Sequence, residues 1–315
     1  MKQFINTLIR IFLTVVILVV IFYKIDIRST LLVISRSNLF YLVISFLTLF
    51  VFSYILALRW QMILKLYGFE VSVWRSFKIY MVSLFFNNFL PSTVGMDVVR
   101  GAYIADKGKQ LSDVISSILI ERWIGLLGII FYVTIVPIIF FNRVQLKYFL
   151  PLSLSGIILS AVFFTAIAND RVFEFFFRMF SKINVLKLGD KINSLFTSLR
   201  LIRNHKKQLL INLFLSFMIQ VVFVFTNYFI VLSQNLNISL IDLIIYVPFI
   251  SVISMIPITI NGLGLREWSY MTFFSGTVKE ETVALSLSFF LLQVIFSFIG
   301  IYFFLTMKKN IKENI

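Results

Sequence analysis

The chain has 315 residues, of which 60% are hydrophobic, 17% aromatic and only 14% charged, and it carries a net charge of +15. Soluble domains average about 45–50% apolar and about 25% charged residues, so a soluble fold is excluded. With no Cys and a single His, disulfides, thiolate zinc sites, iron–sulfur clusters and His-based metal centres are excluded as well, and neither a cofactor nor a metal site is expected.

A helix needs roughly 20 apolar residues to cross about 30 Å of hydrocarbon. Long apolar runs recur at that length and lack the alternation of a barrel strand, so the expected class is an all-α polytopic membrane protein. A single integral membrane domain over 1–315 is expected. The first predicted span, Ile5 to Tyr23, follows Lys2 and Arg10. No small-residue cleavage site comes after it, which predicts an uncleaved first helix. The second span is Leu39 to Leu58.

Ile79 to Leu90 then forms a short apolar stretch that ends at Asn87-Asn88 before Pro91. Its length suits a buried or re-entrant segment. Proline removes a donor and biases the preceding residue to extended geometry, so the incoming helix stops there. Gly95 permits the turn, Ser92 or Thr93 can cap the outgoing helix, and Asp97 and Arg100 fall within that helix. Asp97 fits either a substrate-facing acid or a first-turn acid complementing the helix dipole.

The third span, Val114 to Phe141, is interrupted by Glu121-Arg122, a place where ionisable groups are costly and usually functional. Residues adjacent on a helix point apart. Glu121 is therefore expected to pair with Arg100 or Arg266, leaving Arg122 for a phosphate. The alternative is a span starting near Trp123, with both charges at the surface. Tyr148 to Ala168 is the fourth span, and the connector 169–207 is strongly basic and includes His205, read as a solvated residue. Ile192, Leu195, Phe196, Leu199 and Ile202 recur there at helical spacing, a pattern of an interfacial helix on anionic lipid.

Leu209 to Leu232 is the fifth span. Leu243 to Met255 is a second short apolar stretch before a proline, Pro257, followed by Asn261, Gly262, Gly264 and the pair Arg266-Glu267. Thr282 to Met307 is the sixth span. Trp60, Trp74, Trp123 and Trp268 lie near predicted boundaries, where aromatic anchoring is ordinary.

If both short stretches are re-entrant half-helix hairpins, 21 of the 29 basic residues fall on one face. The positive-inside rule makes that face cytoplasmic and puts both termini inside. The charge asymmetry accounts for the basic balance, and no nucleic-acid partner is implied. Pro91 to Arg100 and Pro257 to Arg266 align without gaps, with proline, threonine and arginine coinciding. Span, span, short hairpin, span thus occurs twice, over about 1–141 and about 148–307, and in opposite orientation. Such an inverted-topology repeat is the architecture of many secondary transporters, with half-helix N-termini facing a midplane site. Free N–H groups and positive dipole ends there suit phosphate or carboxylate.

The residues Asn87 to Gly95 with Asp97 and Arg100, then Glu121-Arg122 with Gly125, then Pro257 through Gly262-Leu-Gly-Leu-Arg-Glu267 together resemble the flippase-like membrane domain of the lysylphosphatidylglycerol synthase family, over nearly the whole chain. The resemblance implies movement of an anionic or charge-modified lipid between leaflets. Asp97 stands where the family pattern has Glu. Only Lys308 to Ile315 follows the last predicted span, so a member without the soluble aminoacyltransferase domain is expected.

The expected function is a lipid or lipid-linked glycan translocase of the cytoplasmic (inner) membrane, not an enzyme and with no catalytic residue. Its partners would be an anionic phospholipid or a polyprenyl-phosphate-linked glycan; no protein partner is indicated. The candidate substrate-binding residues are those of the two hairpins, Asn87, Asn88, Pro91, Gly95, Asp97 and Arg100 in one and Pro257, Asn261, Gly262, Gly264, Arg266 and Glu267 in the other, with Glu121 and Arg122 between them. No nucleotide motif occurs, so lipid or ion gradients would supply the energy. An intramembrane lipid-phosphate transferase or hydrolase and a scaffold for a glycosyltransferase are the alternatives. The first would use the carboxylates as acid and base. Metal-assisted phosphoryl chemistry clusters carboxylates, whereas these are scattered.

Overall fold

A computed structural model describes residues 2–88, 94–104, 111–143, 154–158, 161, 165, 169, 171, 205–256, 258–259 and 262–312. Helix is the regular structure throughout these residues, with no strand among them. The labelled helices are α1 (Lys2–Lys24), α2 (Ile27–Ser35), α3 (Leu39–Leu66), α4 (Val73–Asn87), α5 (Val94–Ile104), α6 (Leu111–Ile139), α7 (Lys206–Ser233), α8 (Leu240–Ser254), α9 (Leu265–Phe273), α10 (Lys279–Ser297) and α11 (Ile299–Lys312). A 3-10 turn, Phe141–Arg143, follows α6.

Four segments among the described residues are long and apolar enough to cross a membrane: Leu39–Leu66, Asp113–Ile139, Lys206–Ser233 and Lys279–Met307. They coincide with four of the six predicted spans. The last comprises α10 and α11, joined at Phe298 by tight i to i+3 hydrogen bonds that carry the helix direction on. α1 covers the predicted first span, its described apolar part being Phe12–Lys24. The fourth predicted span falls mostly outside the described residues, though 154–158 are helical.

Exposed side chains show why these helices belong in lipid. On α3, Leu39, Val43, Leu47, Val51 and Tyr54 recur at helical spacing and are all exposed. Leu291, Ile295, Phe298, Tyr302 and Leu305 do the same along α10 and α11. Apolar stripes of that length are stable only against acyl chains, since helices in lipid need not bury apolar surface.

The short elements differ from their predicted bounds. The stretch placed at Ile79 to Leu90 is helical from Val73 to Asn87, and the one placed at Leu243 to Met255 runs Leu240–Ser254. Each has 15 residues and so a length of roughly 22 Å at 1.5 Å per residue, less than the hydrocarbon thickness. Each is followed by a break and a second short helix, α5 or α9. α2, between the first two predicted spans, is an element the hydropathy pattern did not indicate. Asp26 caps it, its side chain accepting from the Arg28 amide at 2.9 Å and the Ser29 hydroxyl at 2.5 Å.

The helices separate into two compact units. One holds 1–54, 78–100 and 221–315; the other holds 55–77 and 101–220. In the first, α2 and α9 pack on α10, α8 packs on α9, and α1 touches α9. Ile21, Ile25 and Val283 form one of its buried clusters, with Ile17, Met271 and Leu287 against them. Polar bonds fasten neighbouring helices: Ser45 donates to the Thr226 carbonyl at 2.9 Å, and the Asn88 amide donates to the Ser297 hydroxyl at 2.6 Å. Gly300 lies so close to the Met81 carbonyl that a Cβ there would stand 2.3 Å from its oxygen. In the second unit, Ile63, Ile120, Ile124 and Leu209 form a buried cluster.

Candidate functional site

The site in the first unit is built at the start of α9. The chain reaches it through two residues of positive φ, Gly262 at 72° and Gly264 at 84°, a backbone conformation that glycine adopts without a Cβ penalty. At Gly264 there is a second reason for glycine, because a Cβ would meet Ile17 of α1 at 2.8 Å. Gly264 is the N-cap of α9, and the third residue of the helix is Glu267. The Glu267 carboxylate reaches back to accept from the Gly264 amide at 2.6 Å. That is half of a capping box, the glycine having no side chain to return the bond.

The other carboxylate oxygen of Glu267 accepts from Arg266 Nη2 at 3.0 Å, from Arg266 Nε at 3.2 Å and from the Ser286 hydroxyl at 2.7 Å. Ser286, on α10, in turn accepts from Arg266 Nε at 3.0 Å. Arginine, glutamate and serine thus close a ring of hydrogen bonds. Glu267 is 1% exposed and Arg266 8%. Taking two charges into such surroundings costs several kcal/mol per ion unless each is paired and hydrogen-bonded, which this ring achieves. The Arg266 guanidinium also stands 5.3 Å from the Phe290 ring centroid and 6.0 Å from that of Phe289, within cation–π range. Nη1 of Arg266 has no hydrogen-bond partner among the described residues. One turn on, Tyr270 donates to Asn227 Oδ1 at 2.7 Å, tying α9 to α7. Nearby in sequence, the buried Thr259 hydroxyl has no hydrogen-bond partner among the described residues.

This geometry changes one expectation. The amide that caps α9 is bound by the protein's own carboxylate, so the anion nearest that helix start is Glu267. Adjacent Arg266 and Glu267 meet, although neighbours in mid-helix point apart, because they stand in the first turn, where Glu267 bends back toward the N-cap.

On α5, Arg100 is buried, with Nη1 4.0 Å from Asp97 Oδ1 one turn earlier and its guanidinium 6.0 Å from the Tyr80 ring of α4. Asp97 is in the first turn of α5, favourable to the helix dipole. Asn87 and Asn88 end α4; Asn88 binds Ser297, and Asn87 Oδ1 is buried without a partner among the described residues. Gly95 is helical, in the first turn of α5. Pro91, Pro257 and Asn261 lie outside the described residues, as does most of the 169–207 connector.

The second unit has its own ion pair. Glu121, on α6, is bound by Arg59 Nη2, and Arg59 Nη1 donates to the Ser216 hydroxyl of α7 at 2.8 Å. All three are buried. A partner of Glu121 is thus Arg59, which stands one residue past the predicted end of the second span. The signal was present: Met62, Ile63 and Leu64 follow Arg59 before Lys65, so the apolar run continues past it. Gly125, one turn from Glu121, makes room for the guanidinium; a Cβ there would stand 2.9 Å from Arg59 Nη2. Arg122 is half-buried and Trp123 exposed.

The fold and these sites define a polytopic helical membrane protein with buried arginine–glutamate–serine clusters. The chain belongs to the family of the lysylphosphatidylglycerol synthase TM region, whose model matches residues 7–300. It is similar to a UPF0104 membrane protein of Methanocaldococcus jannaschii, 25% identical over 268 residues, covering 80% of this chain and 79% of that protein. A UPF0104 membrane protein of Archaeoglobus fulgidus is 28% identical over 131 residues, 42% of this chain and 39% of that protein. No solved structure matches the chain.

Proposed function

We propose that this protein moves an anionic or charge-modified lipid, a phospholipid or a polyprenyl-phosphate-linked glycan, between the leaflets of the cytoplasmic membrane, without covalent chemistry. The observation that carries this reading is the buried Arg266–Glu267–Ser286 ring at the glycine-broken start of α9. An irregular backbone and a charge pair at membrane depth are tolerated where they are enclosed by protein or line a wet cavity. Among the described residues Arg266 Nη1 makes no hydrogen bond, so it can be offered to a phosphate oxygen, while Glu267 holds the guanidinium in place.

In this reading α4–α5 and α8–α9 are two re-entrant hairpins, six further segments cross fully, and both termini are cytoplasmic. The lengths of α4 and α8 support it, as do the glycine turns before α9 and the family membership. The halves form an inverted repeat and rock about the bound headgroup.

The test is reconstitution of the purified chain in liposomes carrying a fluorescent anionic lipid, with a membrane-impermeant quencher. Loss of the protected inner-leaflet fluorescence supports the proposal, and Arg266→Gln should slow that loss. Lipid that stays in place while a positive-control scramblase moves it sinks the proposal. Topology is testable separately. The chain has no cysteine, so single cysteines at Ser92, Asn142, Asn235, Asn261 and Gly276 report sidedness directly; Ser92 should label from inside and the other four from outside.

A further inference from the structure

We propose that α2 lies in the plane of the membrane and forms a docking face for anionic phospholipid, its apolar residues among the acyl chains and Arg28 at the phosphates. This rests on the chain being a membrane protein and is independent of whether it transports lipid. α2 has nine residues and two unlike faces. Thr30 is buried, and Val33 and Ile34 are partly so, on the side from which α2 packs on α10. Turned away are Ile27 at 48% exposure, Leu31 at 58% and Leu32 at 44%, which line one shallow groove with Arg28 and Ser35.

Connectivity fixes the depth of that groove. Two residues, Ile25 and Asp26, separate α2 from the apolar end of α1, and a short turn ending at Asn38 separates it from the membrane-crossing α3. Both ends are therefore held at a membrane boundary. Lys24 stands over the Trp268 ring at 4.7 Å, and amphipathic rings of this kind sit at the headgroup level. Tyr23, Leu39 and Phe40, flanking α2 in sequence, are also strongly exposed and apolar or aromatic. An apolar face of this composition set at the interface is covered by lipid. Arg28 lines the same groove as Leu31 and Leu32, where a long cationic side chain can keep its stem among apolar groups and its charge at phosphate. Arg36 adds a second positive charge just beyond the helix, so an anionic headgroup is favoured over a neutral one.

The experiment uses the full chain in vesicles of phosphatidylcholine and phosphatidylglycerol. Nitroxide labels on single cysteines at Ile27, Leu31 and Leu32 report depth through relaxation by oxygen and by an aqueous nickel chelate. The expected result is one common depth, roughly 5–10 Å below the phosphates, for all three positions. Labels at Leu39, Val43 and Leu47 should instead deepen by about 6 Å every four residues along α3. A photoactivatable phosphatidylglycerol, added to the unsubstituted chain, should crosslink within 27–35, and Arg28→Gln should reduce that crosslinking severalfold. Dominant relaxation by the nickel chelate would mean a face in water and would overturn the proposal. Exclusion of both relaxants would mean a protein surface, a second copy included, and would overturn it equally.

Discussion

The carboxylate of Glu267 holds the guanidinium of its own neighbour, Arg266, at 3.0 Å while its other oxygen caps the helix on which both stand. One side chain thus fixes a charge and a helix start together. Replacing Glu267 by Gln should cost about 3–5 kcal/mol, because breaking one partner of a buried pair leaves the other uncompensated. Thermal unfolding of the detergent-purified protein measures this, and lipid movement should fall with it. Glu267→Asp, shorter by one methylene, should recover little of either.

The Arg59–Glu121 pair should behave as one unit. Arg59→Met and Glu121→Met each strand a buried charge, whereas the double replacement removes both. A double-mutant cycle on unfolding free energy is expected to show a coupling of about 1 kcal/mol or more. Strict additivity would mean that the two side chains do not stabilise each other.

Gly264→Ala should destabilise by about 1–3 kcal/mol, the scale of an L residue forced into a left-handed conformation. Contact with Ile17 adds to the strain. Gly276→Ala is the control, since nothing lies within 4 Å of a Cβ there; its unfolding temperature should match that of the parent.

The Asp26 carboxyl is held below its ordinary value of 3.8, first by the Ser29 hydroxyl and then by the Arg28 amide. A depressed folded-state pKa means that its contribution is fully present above the unfolded value and is lost as pH falls through the folded one. α2 should therefore remain capped at every pH above about 4 and fray only in stronger acid. Amide hydrogen exchange of 27–30 against pH reads this directly. Asp26→Ala should show the frayed exchange already at neutral pH.

The four long spans were legible because each apolar run alone exceeds what a soluble fold would bury. α2 was not. Nine residues containing Arg28, Ser29 and Thr30 leave no hydropathy signal, and the helix is held by its cap and by packing on α10. The Pro and Gly punctuation located the helix breaks before α5 and α9, although α4 and α8 begin earlier than the apolar stretches suggested. Glu121 could be singled out from its surroundings, but the role of Arg59 could not. Arg59 is 62 residues away, and only the packing of α3 on α6 brings the two together. Ser286 and Asn227 were invisible for the same reason: a serine or asparagine in a span carries no mark until the facing helix is known.

The closeness of Gly300 to the Met81 carbonyl, with Asn88 bonded to Ser297 beside it, bears on how the protein is assembled during synthesis. α4 emerges early and acquires this neighbour only after nearly the whole chain has been made. Until then its final turn and the asparagines there must wait, in lipid or beside a chaperone, for the C-terminal helices to arrive. Two polypeptides divided between the third and fourth predicted spans, before Tyr148, should each be short-lived in the membrane when made alone and should persist, as a pair, when made together.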